Sequence, residues 1–471
     1  MRSAGFGASG DWWVNPAGYF PPAAQRHIAQ LLFTGQGIAL SQYRYNIGGG
    51  GVGADQPTGG ESELGFYDRS PQTFYVAPGI YDWSHDPGGT LFLRYAAADS
   101  VPAIVANVNS APPGFTTNGQ SCGGNLKPGM EQAFADYLTT VVKHIHDDWH
   151  ITVSYVSPMN EPDYTRGDCT QEGMAVPPAQ RATVVQDLGK DLAARAPYAK
   201  VIADESSDVG SQFNTEVPQW ISVPGTARYV AALAHHTYDF PSDATLQAAR
   251  AIGEQYGQPL WATEICCDVY HQGAAPGYGQ QFDPTITGGL ALAQIIDQDL
   301  TQANDAAFDW WVALSAAEAC DPRQAGCMTT VNATGWNDGL LYFDPNFATD
   351  HDYAVYPTKR FYALGNFSRF VRPGAKRHDV TGVPAGLEAL AFQTGHQWEI
   401  VVTNTSAAGS APATFSLTLP GSGALRSAGS YQTSATASLA RAGGAVTDGR
   451  SASLTTPAQS ITTFLIDQAG S

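Results

Sequence analysis

Two glutamates stand where a polypeptide could use them as a pair. Glu161 lies in Ser157-Pro158-Met159-Asn160-Glu161-Pro162, directly after a β-rich apolar run at 152–156, and the prolines at 158 and 162 end any helix or strand ladder there. Glu264 closes a second such run, Pro259-Leu260-Trp261-Ala262-Thr263-Glu264. Either Glu alone reads as an ordinary solvated loop carboxylate. At the ends of two strands they suit glycoside hydrolysis, in which one acid protonates the leaving oxygen while the other attacks the sugar or activates water. Arg44 also falls at a strand end. A permanent cation there would hold Glu264 ionised, a role compatible with a purely structural ion pair, whereas Glu161 needs a raised pKa to arrive protonated.

Two other patterns point to chemistry that the surroundings do not support. His235 and His236 are adjacent, but no carboxylate or third histidine sits at ligand spacing, so they read as hydrogen-bonded histidines and no metal is expected. Gly48, Gly50 and Gly53 satisfy a dinucleotide-binding Gly-x-Gly-x-x-Gly after a strand, yet Ala54-Asp55-Gln56-Pro57-Thr58-Gly59-Gly60 cannot open the helix that motif requires. A loop without a cofactor is the expectation.

The elements that must carry the two glutamates repeat along the first three quarters of the chain. Apolar runs at 43–47, 103–108, 152–156, 200–203, 230–235, 260–262 and 308–314 alternate with helical patterns. One of these places Phe134, Tyr137, Leu138, Val141, Val142 and Ile145 on one face, and 179–195, 243–256 and 287–303 follow the same rule. With Gly5-Phe6-Gly7 as a first strand, the count reaches eight, the pattern of a (β/α)8 TIM barrel over residues 1–364. Glu161 then ends strand four and Glu264 strand seven, facing one another across the catalytic mouth. After Leu364 the period falls to two, at 387–393, 398–403, 413–419 and 461–466, which predicts an antiparallel β-sandwich over 365–471. The link at 363–372 is rich in Phe rather than Gly and Ser, so the sandwich should dock on the barrel.

Along the whole chain, Gly5-Phe6-Gly7, Tyr43-Arg44-Tyr45-Asn46, Asn109-Ser110-Ala111-Pro112-Pro113, Asn160-Glu161-Pro162, His236-Thr237-Tyr238, Thr263-Glu264 and Gly365-Asn366-Phe367-Ser368-Arg369-Phe370-Val371 resemble glycoside hydrolase family 30. The run from Tyr43 to Gly50, the Asn-Ser-Ala-Pro-Pro segment and Glu264-Ile265-Cys266-Cys267 most resemble its endo-β-1,6-galactanases. The resemblance implies a retaining barrel enzyme with Glu161 as acid/base and Glu264 as nucleophile. It further implies Arg44 beside the nucleophile, Asn160 on the sugar 2-OH, His236 in the substrate-binding set, Tyr238 bonded to the nucleophile and Trp310 as a sugar platform. Strand alternation sends one of Trp310 and Trp311 inward, and the family position favours Trp310. The chain departs from the family in two places. Only four residues precede Gly5, where a sandwich strand is usual, and Gly114 follows Pro113 where many relatives carry an aromatic wall.

Composition narrows the partners. A formal charge of −19, from 24 Lys+Arg against 43 Asp+Glu, repels nucleic acid and anionic lipid. No apolar run approaches the length of about 20 that spans a bilayer. The expected partner is a neutral polysaccharide or oligosaccharide, bound by a monomer: β-1,6-galactan first, then xylan, β-glucan, a glycosylceramide or a galactofuranoside. A sugar-binding barrel without catalysis is the reading from another class, and opposed acids argue against it. Six cysteines without Cys-x-x-Cys favour disulfides and an extracellular enzyme whose export signal, absent from Met1-Arg2-Ser3-Ala4-Gly5-Phe6, has been removed. Cys122 and Cys169, on loops after adjacent strands, should pair, as should Cys320 and Cys327, while Cys266 and Cys267 are open between a vicinal bond and free thiols.

Overall fold

A computed structural model describes residues 1–50, 69, 71–164, 167, 169–269 and 276–469. Eight parallel strands close on themselves: β1 (Gly5–Ser9), β2 (Gln42–Asn46), β3 (Ala103–Asn107), β4 (Tyr155–Ser157), β5 (Lys200–Ser206), β6 (Val230–His236), β7 (Leu260–Glu264) and β8 (Ala307–Ala316), with β8 pairing back onto β1. Between them run α1 (Pro22–Phe33), α2 (Pro87–Ala98), α3 (Glu131–Asp147), α4 (Pro178–Arg195), α5 (Asn214–Ile221), α6 (Asp243–Tyr256) and α7 (Ile286–Gln298), and α8 (Lys359–Ser368) follows β8. The helix ends are chemically specified. Ser242 caps α6 by accepting the Thr245 N–H, and Gly257 ends it at φ 68°, a left-handed turn that glycine adopts without a Cβ penalty.

Side chains, not space, fill the barrel. Val105, Ile202, Ala232, Ala234, Trp261 and Ala307 form one buried cluster within it. Gly7 is glycine for a steric reason: a Cβ there would stand 2.2 Å from Asp309 Oδ1, so the interior carboxyl occupies the volume a side chain would need. The Gly-x-Gly-x-x-Gly candidate opens no helix among the described residues, because α2 begins only at Pro87; Gly53 lies outside the described residues.

The sandwich has a six-stranded antiparallel sheet and a three-stranded one. Alternation along Gln397–Asn404 serves two cores at once. Trp398, Ile400 and Val402 face Leu454 and Ala452 of the smaller sheet, whereas Val401 joins Leu390, Phe392 and Ile461 in the cluster that also holds Phe6 and Leu364 of the barrel. Barrel and sandwich therefore share buried apolar surface. The expected division between residues 364 and 365 falls inside α8, and the chain passes to the first sandwich strand, Lys376–His378, only after Ser368. The helix continues because Asn366, fully buried, reaches across: its Nδ2 donates to Tyr431 O at 3.1 Å and Thr463 Oγ1 at 2.9 Å, and its Oδ1 accepts from Thr433 Oγ1 at 2.6 Å. At the other end of the chain, Arg2 pairs with Lys376, so residues ahead of β1 lie along the sandwich edge.

All three cysteine pairs are bonded: Cys122–Cys169 with Cα atoms 5.3 Å apart, Cys320–Cys327 at 5.7 Å, and the adjacent Cys266–Cys267 as a vicinal disulfide. No helix among the described residues is long and apolar enough to cross a membrane.

Replacing Asn366 by Ala removes three side-chain hydrogen bonds between α8 and the sandwich, which should cost about 1–3 kcal/mol in denaturant unfolding. A variant as stable as the parent would show that these bonds do not hold the sandwich to the barrel.

Candidate active site

The mouth of the barrel is organised around a buried guanidinium. Arg44, which lies in the middle of β2 rather than at its end as the sequence suggests, has no exposed surface. Its Nη1 donates to Glu264 Oε2 at 2.8 Å and to Thr263 O at 2.8 Å, and its Nη2 reaches Asn160 Oδ1 at 3.3 Å and Glu205 Oε2 at 3.5 Å. One side chain from β2 thus touches residues that follow or end β4, β5 and β7. Tyr238, just past β6, donates its hydroxyl to the other oxygen of Glu264 at 2.9 Å. Burial and the neighbouring carboxylates push that phenol well above its ordinary range, so it remains a neutral donor.

His236 stands between three carboxylates. Its Nε2 lies 3.0 Å from Glu205 Oε2, and its Nδ1 lies 3.4 Å from Glu161 Oε1 and 3.6 Å from Glu264 Oε1. Burial opposes its charge, but Glu264, Glu161 and Glu205 outweigh burial and raise it to about 10. Glu205 is held down to about 2: burial would raise it, and Arg44, His236 and the Thr263 hydroxyl more than offset that. One ligand-type atom each from Glu161, His236 and Glu264 lies within 4.8 Å of the others, a closeness that no spacing in the sequence reveals because the residues come from three strands. Such a group could surround a cation, yet an imidazolium with a carboxylate on each nitrogen has no lone pair to offer one.

Two more acids complete the floor. Asp11, just beyond β1, accepts from Asn107 and Asn109 at 3.2 Å each, and burial, only partly offset by Arg44, raises it to about 6. Burial likewise pushes Asp309 up to about 8 against the pull of Arg44. Glu161 itself sits at φ 43°, a left-handed conformation that its N–H secures by donating to Glu205 O at 2.9 Å.

Above this floor lies a cleft of about 760 Å³, within the roughly 300–1,000 Å³ of small-molecule sites and lined by Asn160, Glu161, Tyr238 and Glu264. Of the seven residues singled out from sequence, six meet here or directly beneath: Arg44, Asn160, Glu161, His236, Tyr238 and Glu264. Trp310 does not. It is fully buried, donates to Asp338 O and lies under the Arg360 guanidinium of α8, 5.5 Å from its ring centroid. The ring that faces the cleft is Trp311, edge-to-face against Trp12 at 4.9 Å. The parity explains the correction: Asp309 points into the barrel, so in a period-two strand Trp311 does as well. Gly114, expected to open a gap in the sugar wall, does not line the cleft, whose aromatic wall comes instead from Trp12, Tyr278, Trp311 and Trp336. Glu205 escaped the sequence reading, although it shares the feature that marked Glu161 and Glu264, a carboxylate at the C-terminal end of a barrel strand.

Solved structures of the same architecture cover almost the entire chain. A conserved exported protein from Bacteroides fragilis aligns at 22% identity over 99% of this chain and 98% of its own, with a TM-score of 0.77. Xylanase C from Talaromyces cellulolyticus aligns at 22% identity over 99% and 98%, with a TM-score of 0.72. An endo-β-1,6-glucanase aligns at 17% identity over 99% and 92%, with a TM-score of 0.70. At such identities these likenesses speak for the fold. The family follows from the sequence model of O-glycosyl hydrolase family 30, which matches residues 2–322, the stretch that carries Arg44, Asn160, Glu161, His236, Tyr238 and Glu264. The chain belongs to glycoside hydrolase family 30.

Proposed function

We propose that this glycoside hydrolase cleaves β-1,6-linked galactan internally, with retention of configuration, using Glu161 as acid/base and Glu264 as nucleophile. The observation that carries the catalytic assignment is the proximity of the two side chains, whose nearest oxygens lie within 4.8 Å. Retaining chemistry uses carboxyl groups about 5–5.5 Å apart, whereas inversion needs about 6.5–9.5 Å to admit a water between them. The unequal surroundings support the division of labour. Glu264 receives the Arg44 guanidinium on one oxygen and the Tyr238 hydroxyl on the other, which hold it in place for attack. In the first step Glu264 attacks the anomeric carbon while Glu161 gives its proton to the leaving oxygen. In the second, Glu161 takes a proton from water as that water displaces Glu264. Asn160, with its carbonyl oxygen turned to Arg44, keeps its amide N–H groups for the sugar 2-OH, and Trp311 supplies the stacking face.

The choice of galactan rests on the resemblance of the Tyr43–Gly50, Asn109–Pro113 and Glu264–Cys267 segments to endo-β-1,6-galactanases. The acidic chain suits a neutral polymer. Three disulfides support a place outside the reducing cytoplasm.

Incubation with β-1,6-galactan, xylan and β-1,6-glucan should release β-1,6-linked galacto-oligosaccharides from the first and little from the others. Faster release from xylan or glucan would move the substrate assignment while leaving the catalytic pair intact. Separately, Glu264→Ala with azide should give a glycosyl azide of inverted configuration from an activated substrate. Glu161→Ala should lose about 10²–10⁴-fold on substrates that need protonation and give an azide product of retained configuration. The opposite pattern of anomers would exchange the two roles.

A further inference from the structure

Beneath the two glutamates, Glu205 is bonded to more of the site than any role proposed so far requires. It is fully buried at the end of β5. Its Oε2 accepts from His236 Nε2 and from the Thr263 hydroxyl and lies 3.5 Å from Arg44 Nη2. Its backbone oxygen holds the Glu161 N–H. Through these bonds it touches the residue before the nucleophile, the backbone of the acid/base and both cations that face them.

The surrounding carboxylates fix the state of His236. Its Nε2 lies 3.0 Å from Glu205 Oε2, and its Nδ1 lies 3.4 Å from Glu161 Oε1 and 3.6 Å from Glu264 Oε1; against the burial that opposes charge, Glu264, Glu161 and Glu205 raise it to about 10, so it is an imidazolium. The charged and titratable groups facing this pair are Arg44 from β2, Glu161 after β4, Tyr238 after β6 and Glu264 from β7, with Asp11 and Asp309 also near enough to act on Arg44, Glu264 and Glu205. Arg44 and His236 are positive, and Glu205 and Glu264 are negative. These four charges cancel when Glu161 is protonated, which is the form needed for the first step. Loss of the Glu161 proton leaves a net negative charge out of water, a state that burial disfavours.

We propose that Glu205 is a positioning residue: its carboxylate holds His236 and Arg44 in place and balances their charge, which offsets the pull of these cations on the Glu161 proton until the leaving group takes it. The inference rests on the assignment of Glu161 as acid/base. Glu205→Gln preserves the shape but removes a negative charge, so every neighbouring proton is held less tightly. The descending, alkaline limb of the kcat profile should move to lower pH by about 1 unit. His236→Gln removes a positive charge beside Glu161, and the same limb should move to higher pH.

The experiment measures kcat against pH for the parent enzyme, both variants and Glu205→Asp on β-1,6-galacto-oligosaccharides or whichever β-glycan the enzyme proves to cleave. Glu161→Ala is measured on an aryl glycoside that needs no protonation. Glu205→Asp, which retains the charge, should keep the parent limb even if kcat falls. A Glu205→Gln limb that stays in place while kcat drops would reduce Glu205 to a structural part and overturn the proposal. A His236→Gln limb that does not rise would do so independently, should the Glu205→Gln chain fail to fold. Persistence of the parent limb in Glu161→Ala would instead remove Glu161 from the acid role, an outcome distinct from failure of the inference about Glu205.

Discussion

The site depends on a cation taken out of water. Desolvating a guanidinium costs several kcal/mol, and only close acceptors make the burial tolerable. Arg44 finds them in Glu264, Thr263, Asn160 and Glu205, which belong to three other barrel strands or the turns that follow them. The need to satisfy Arg44 therefore brings the prospective nucleophile, the residue before the acid/base and the positioning carboxylate to one point. Removing either carboxylate would leave charge uncompensated in a low-dielectric interior, so the arrangement enforces its own geometry. The strands supply the directions: their C-terminal ends all open on the same face of the closed sheet, where charged groups gather while Val105, Ile202 and Trp261 fill the interior below.

What the sequence made legible follows from which physical signals are local. Buried strands such as β3 and β6 are largely apolar because both faces are covered, and they stand out between turns. The Leu387–Thr394 and Gln397–Asn404 strands stood out by alternation. By contrast Leu425–Ser434, Ala440–Ala442, Ala445–Thr447 and Ser451–Thr456 are built from Ser, Ala, Thr and Gly, and their hydrogen-bond partners rather than their hydropathy make them strands. The end of α8 was obscured in a similar way, because Gly365 resembles a break while Asn366 beyond it is locked into the sandwich.

In the site, the pair Glu161 and Glu264 was legible because strand ends and prolines flank them. The surroundings of His236 and Glu205 were not, since each acquires its character from carboxylates or cations far away in the chain: Glu205 and Glu161 are neighbours of His236 only once the barrel closes. Trp310 and Trp311 show a finer limit. Two adjacent aromatic residues carry no sign of which faces inward, and Asp309 settles the parity only when it is known to point at Gly7 and Arg44. The vicinal Cys266–Cys267 bond is likewise a matter of backbone geometry that composition leaves open.

The central claim is that two glutamates with nearest oxygens within 4.8 Å operate by double displacement. Proton NMR of the parent enzyme acting on a β-linked galacto-oligosaccharide, recorded before mutarotation scrambles the product, tests it most directly. The new reducing end should appear first as the β-anomer. Initial release of the α-anomer would mean that water attacks directly, and would contradict the assignment of Glu264 as nucleophile.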